Sequence, residues 1–316
     1  MSIACWAIFS YIGLNVLAWL LSVAAFRLWA WSVRWTEGGL MPDAVPFERG
    51  EGEDAVLFVH GFNDVPAVWR RFVGPFVEKG FHVEALHLEG LGDGRMGLWF
   101  DFPLTRWQQT VTARVNALAK THRRVFLVGH SMGGALVLDA VYRHDRWRKG
   151  CPDGDAKIAG AVLLAPLVEV SRARAPLLSA GAWFGLCRLF LPGLRCVPSV
   201  FPSVQGAEDD PSFRYRRDRF MTVSVLAAMF SLVRRLRTLD LSAVATPLQV
   251  YVAGNDRVVD TSEAKSYFTA CPAVKALVEV PDAPHVLPLI AGWRSLATRV
   301  SDLMLDRFDG KSRSRL

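Results

Sequence analysis

The stretch VFLVGHSMGGALVLDA, residues 125–140, carries two periodicities with a break between them. Val125–Val128 is a continuous apolar run, the pattern of a strand buried on both faces, and Gly133–His144 has helical spacing. Between them stands Gly129-His130-Ser131-Met132-Gly133, a G-x-S-x-G, with Gly134 beyond. A tight turn here lifts the Ser131 hydroxyl clear of the sheet edge. Gly129 and Gly133 leave room where a Cβ would meet the adjoining strand and helix. The first turn of the following helix directs unpaired N–H groups toward negative charge. The pattern alone is common; the strand before it and the helix after it make Ser131 a candidate nucleophile.

The same alternation runs outward from this turn. Ala55–His60, Phe81–Leu88, Ile158–Ala165, Pro247–Ala253 and Val274–Val280 read as strands. Pro66–Lys79, Leu104–Thr121, Thr261–Ala270 and Leu289–Arg307 read as helices, and 36–52 as a linker with a short strand. Apolar strands separated by helices predict an α/β fold with a mostly parallel sheet covered on both faces. The alternation is broken between Val168 and Val244, where no clear strand is legible, and this block reads as an inserted helical cap. The division expected is 1–35 as an N-terminal apolar helix, 36–167 with 245–316 as the core, and 168–244 as the lid.

A serine nucleophile needs a base, and the base an orienting acid. After a turn of this kind they follow in the order acid, then histidine. Of the seven histidines only His285 lies beyond the last strand, in PDAPHVLPL. Asp256, in AGNDRVVD, falls just after the strand 247–253, on the sheet edge where ligand sites of parallel sheets collect. Asp260 is the alternative acid and reads as a helix N-cap; Asp282 is too close to His285 in sequence. His60-Gly61-Phe62 closes the first confident strand, so the amides of Phe62 and Met132 are the candidate oxyanion donors. His60 itself reads as a structural loop residue.

VLFVHGF, GHSMGG, AGNDRVVD and PHVL, in this order, resemble the α/β-hydrolase superfamily, and within it bacterial carboxylesterases and monoacylglycerol lipases with a helical lid. The resemblance spans about residues 53–308. It implies Ser131 as nucleophile, Asp256 as acid, His285 as base, and a lid after the strand ending near Ala165. Aspartate-nucleophile members such as dehalogenases and epoxide hydrolases are disfavoured by Ser131. The N-terminal segment, the basic cap and the proline before His285 depart from the pattern. The expected reaction is hydrolysis of a short- or medium-chain acyl ester or a monoacylglycerol through an acyl-enzyme, with no metal or organic cofactor required. A thioesterase, amidase or carbon–carbon hydrolase would keep the same triad, and a non-catalytic membrane-anchored binding protein would keep only the scaffold. Trp183, Phe184, Phe190, Met229 and Phe230 are candidate pocket walls, although such stripes more often form cap core.

Composition bears on partners. The chain has 316 residues, 51% of them apolar, and a formal net charge of +7; its mean hydropathy is +0.21. Residues Ile3–Phe26 carry no charge, and a helix of that length reaches about 36 Å, enough for a roughly 30 Å hydrocarbon core. Trp29, Trp31 and Trp35 follow as interfacial anchors would. The segment reads as a membrane anchor, with a signal peptide or an apolar helix packed on the protein's own surface as alternatives. Arg27 and Arg34 behind it vote for a cytoplasmic catalytic domain, with export as the alternative. Between Val168 and Asp240 eleven arginines face six acids, so most of the positive excess lies in the cap. It suits an anionic lipid surface or a solvated arginine face, and no nucleic-acid motif accompanies it. The five cysteines are scattered with no C-x-x-C, leaving a Cys187–Cys196 bridge as a minor option.

Overall fold

Seven strands form the central sheet of the computed structural model, in the order β1-β3-β2-β4-β5-β10-β11. The structure describes residues 3–95, 101–150, 158–175, 177–199, 204–206, 210 and 212–306; Cys151, Glu208, Asp209 and Arg307 lie outside them. The strands are β1 (Phe47–Arg49), β2 (Asp54–Val59), β3 (His82–Leu86), β4 (Arg124–His130), β5 (Ile158–Leu164), β10 (Leu248–Ala253) and β11 (Val274–Val280). β1 is antiparallel to β3 and every other pairing is parallel. From β2 the chain steps to β3 on one side and then to β4 on the other. The order therefore reverses between β2 and β4, and a crevice opens at their C-terminal ends, the usual ligand position in such sheets.

Successive side chains of the buried strands feed two cores. Leu57, Leu127 and Leu163 pack into one, and Phe58, Phe126 and Leu164 into the other. The first core is closed by α3 (Leu104–Thr121) and α4 (Met132–Gly150), the second by α2 (Gly74–Glu78) and α8 (Trp293–Asp306). On α3 the buried Trp107, Val111, Val115 and Leu118 recur at helical spacing, which sets the face it turns inward. α7 (Thr261–Thr269) lies between β10 and β11, capped at its start by Asp260, whose carboxylate accepts the Ser262 and Glu263 amides.

The cap departs from the expectation of a purely helical insert. Besides α5 (Ala180–Phe190) and α6 (Val223–Leu236), it holds β6 (Cys196–Pro198) paired with β9 (Phe220–Thr222), and β7 (Val204–Gly206) paired with β8 (Arg214–Arg216). Three-residue strands give no alternation to read, which is why the sequence does not announce them. α6 is fastened to the core through Asp139 of α4. That fully buried carboxylate accepts hydrogen bonds from Arg235 (2.5 Å), Arg143 (2.9 Å) and Gln108 (2.8 Å). α5, by contrast, has no fully buried residue. Cys187 and Cys196 are not bridged.

The N-terminal helix α1 (Ile3–Trp31) runs five residues beyond the uncharged segment. Its C-terminal part packs on the protein: Ser22, Phe26 and Trp29 are buried, and Trp29 meets Phe26, Trp35 and Phe220 edge to face.

Candidate active site

Ser131 sits at the end of β4 with φ of +54°, in the left-handed region a non-glycine residue rarely occupies. Such a conformation costs about 1–3 kcal/mol and persists only where its surroundings over-determine it. Here they do. The Ser131 amide donates to Leu164 O at 2.9 Å, and its carbonyl accepts from Ala135 and Leu167. A Cβ on Gly129 would stand 2.4 Å from Gly133 O, and one on Gly133 2.1 Å from Val59 O, so strand and helix cross only because both are glycine.

The partners expected from the sequence converge on this turn. His285 Nε2 lies 2.9 Å from Ser131 Oγ, and His285 Nδ1 lies 2.7 Å from Asp256 Oδ2. With Asp256 accepting at Nδ1, that nitrogen carries the proton, and Nε2 is left to accept from the hydroxyl. The other Asp256 oxygen accepts the amides of Val258 (2.8 Å) and Val259 (2.9 Å), which fixes the carboxylate. Asp260 is occupied as the α7 cap, and Asp282 is exposed on a turn at φ of +54°. The Met132 amide opens α4 and the Phe62 amide follows Gly61; neither donates to a protein acceptor among the described residues. A Cβ on Gly61 would come 3.1 Å from Ser131 Cβ, so glycine there lets the two turns approach.

Two further histidines are structural neighbours. His60 Nδ1 donates to Gly61 O at 3.0 Å, and the Leu88 amide donates to its Nε2 at 3.1 Å. Burial pushes its pKa down to about 3, so it stays neutral. His130 Nε2 donates to the His285 carbonyl at 3.0 Å, with the two rings 4.9 Å apart. Burial, then the nearby His285 charge, holds His130 well below the ordinary histidine value. It thus steadies the backbone of the candidate base from beneath.

A cavity of about 270 Å³ opens over Ser131 and His285. Leu167, Val170, Leu226, Met229, Phe230 and Val258 make its wall mostly apolar. Of the expected pocket residues, Met229 and Phe230 line it. Phe184 stands behind, stacked on Phe230 at 4.9 Å. Trp183 and Phe190 are outside the lining, 45% and 61% exposed on α5. Asp64 and Arg217 form a charged pair in the described wall that the sequence does not signal. Arg217 reaches from the cap to Asp64 Oδ2 at 3.0 Å, donates to the Tyr215 hydroxyl at 2.7 Å, and is itself buried. Nothing local ties Asp64 to a residue 153 positions away.

A family model described as serine aminopeptidase, S33, matches residues 50–289, about three quarters of the chain. The chain belongs to this α/β-hydrolase family. Among solved structures, this S33 hydrolase is similar to a metagenome-derived lipolytic enzyme of the LipS and LipT study (TM-score 0.67, 17% identity, covering 84% of this chain and 99% of that one). It is also similar to the monoacylglycerol lipase of Paleococcus ferrophilus (0.63, 17%, 83% and 98%). A soluble variant of monoglyceride lipase from Saccharomyces cerevisiae follows (0.61, 15%, 83% and 92%). At these identities the likeness shows the shared fold. No curated protein sequence matches the S33 hydrolase.

Proposed function

We propose that this S33 hydrolase cleaves carboxylic esters through an acyl-enzyme, with Ser131 as nucleophile, His285 as general base and acid, and Asp256 as the group that fixes the imidazole. The observation that carries this is the continuous Asp256–His285–Ser131 hydrogen-bonded chain ending in an apolar cavity. His285 takes the Ser131 proton as Oγ attacks the ester carbonyl. The amides of Phe62 and Met132 receive the developing oxyanion, each such donor contributing about 3–4 kcal/mol at the transition state. The proton passes to the departing alcohol, and water repeats the sequence on the acyl-enzyme.

The apolar wall suits the acyl chain of a short- or medium-chain ester or a monoacylglycerol. The family is named for aminopeptidases, but an aminopeptidase must hold a substrate ammonium. The carboxylate of the described lining, Asp64, is already engaged by Arg217. This favours esters. Under the same reading residues 168–244 act as the lid over the core formed by 36–167 and 245–316, and residues 1–35 attach the molecule to a membrane.

The test pairs a fluorophosphonate probe with a panel of p-nitrophenyl esters of rising chain length, run beside thioester and amide substrates. Labelling of wild type and none of Ser131→Ala is expected, with ester turnover above the other two. Equal labelling of both proteins would remove the catalytic assignment and leave a binding scaffold.

A further inference from the structure

The 29 residues of α1 give a helix about 43 Å long, ample for crossing a bilayer. What the cap does along it argues against crossing. The Tyr11 hydroxyl donates to Leu189 O at 3.3 Å. The Gly193 amide donates to Asn15 Oδ1 at 2.8 Å, and the Arg195 amide to Ser22 Oγ at 3.1 Å. Cys196 Sγ donates to the Ser22 carbonyl at 3.3 Å. The end of α5 and the segment that follows it therefore lie along α1 from Tyr11 to Ser22, about 16 Å of its axis. Of the described helix, Ile3–Ser10, about 12 Å, extends beyond, against a hydrocarbon core of roughly 30 Å. The approach is close: a Cβ on Gly193 would stand 2.0 Å from Asn15 O.

The side chains sort accordingly. Between Tyr11 and Ser22 the side chains of Tyr11, Asn15 and Ser22 each bond the cap, while Trp19 is exposed. The other faces are otherwise apolar. Trp6, Phe9, Leu17 and Leu20 are exposed on α1, and Trp183 and Phe190 on the adjoining α5. A helix apolar on every side, covered by protein along one stripe, requires a second apolar phase on the rest. Arg27 on α1 and Arg188 on α5 are exposed, in place for anionic headgroups. Were α1 to stand upright across a bilayer, the Leu189–Cys196 backbone and Arg195 would be carried into its core.

We propose that α1 does not span: α1 and α5 form one apolar face that inserts into a single anionic lipid leaflet, with the cavity opening beside it. The surface claim rests on these contacts alone; only its use for lipid substrates rests on the esterase reading.

The experiment uses the full chain with differently cleavable tags at its two ends, reconstituted into sealed phosphatidylcholine–phosphatidylglycerol vesicles and treated with impermeant protease. Each molecule is expected to lose both tags or neither, because both ends share one side. Molecules that lose a single tag would establish a span and overturn the proposal, whatever the catalytic outcome. A second measurement compares wild type with Gly193→Val, and with Asn15→Ala as the milder variant. Hydrolysis of a vesicle-dispersed long-chain ester should fall several-fold while turnover of a soluble short-chain ester stays unchanged. Equal losses on both substrates, or none on either, would sink the coupling of α1 to the cap; no turnover of either by wild type would instead refute the esterase reading.

Discussion

Single side chains divide the labour around Ser131. Replacing Ser131 by Ala should lower ester turnover by about 10⁴–10⁶-fold, and Asp256→Asn by about 10⁴-fold through the wrong imidazole tautomer, with thermal midpoints close to wild type. Both are read by steady-state kinetics beside calorimetry. That Ser131, Asp256 and His285 would meet was legible in the sequence, because strand order and chain order together dictate where the candidate acid and base fall. His130 was legible only as part of a motif; its bond to the His285 carbonyl depends on a fold that brings positions 155 apart together. Asp218 was not legible at all. It lies buried in the cap and accepts the Gly92 amide at 2.6 Å. Burial raises its pKa to about 7, with the Asp93 charge adding to the rise and the Gly92 bond opposing it. The native state thus holds a proton that the unfolded chain has released above the ordinary carboxylate range. Its contribution to stability falls as pH rises from about 4 to about 7. Asp218→Asn is expected to raise the melting temperature by a few degrees at pH 8 and by less at pH 5; an equal shift at both would contradict this linkage.

At the scale of elements, the strand–turn–helix of residues 124–150 is the least tolerant part. Gly133→Ala drives a methyl into the Val59 carbonyl, a backbone atom that cannot swing aside. The expected outcome is loss of several kcal/mol and failure to accumulate as soluble protein, measured by expression yield and circular dichroism. Long elements matched the sequence closely: α3 falls on Leu104–Thr121 as expected, and β11 on Val274–Val280. The stretch expected as one helix from Pro66 to Lys79 resolves into a 3-10 turn at Pro66–Trp69 and the five-residue α2. Pro75 opens that second helix at its first turn, where a missing N–H is harmless. The cap strands escaped notice for the opposite reason, since their pairing is set by distant chain and not by local period.

For the molecule as a whole, α1 joins two tasks that a sequence profile cannot separate. Its N-terminal half is exposed, while Phe26 and Trp29 belong to the core under β2 and β3. Removing residues 1–20 should keep the melting temperature near that of the full chain and weaken vesicle binding. Removing 1–35 should uncover Phe220 and Met41, lower the melting temperature and promote aggregation. Differential scanning fluorimetry with vesicle co-sedimentation distinguishes the two truncations. The clamp of Arg235 and Arg143 on Asp139 has its own consequence at this scale. It makes α6, with Leu226, Met229 and Phe230, a fixed wall, whereas no residue of α5 is fully buried. Under the proposed ester hydrolysis, chain-length choice and admission then become separate properties. Substitutions on α6 should reorder kcat/KM across acyl lengths, and substitutions on α5 should scale all lengths alike, so the two helices could diverge independently under selection.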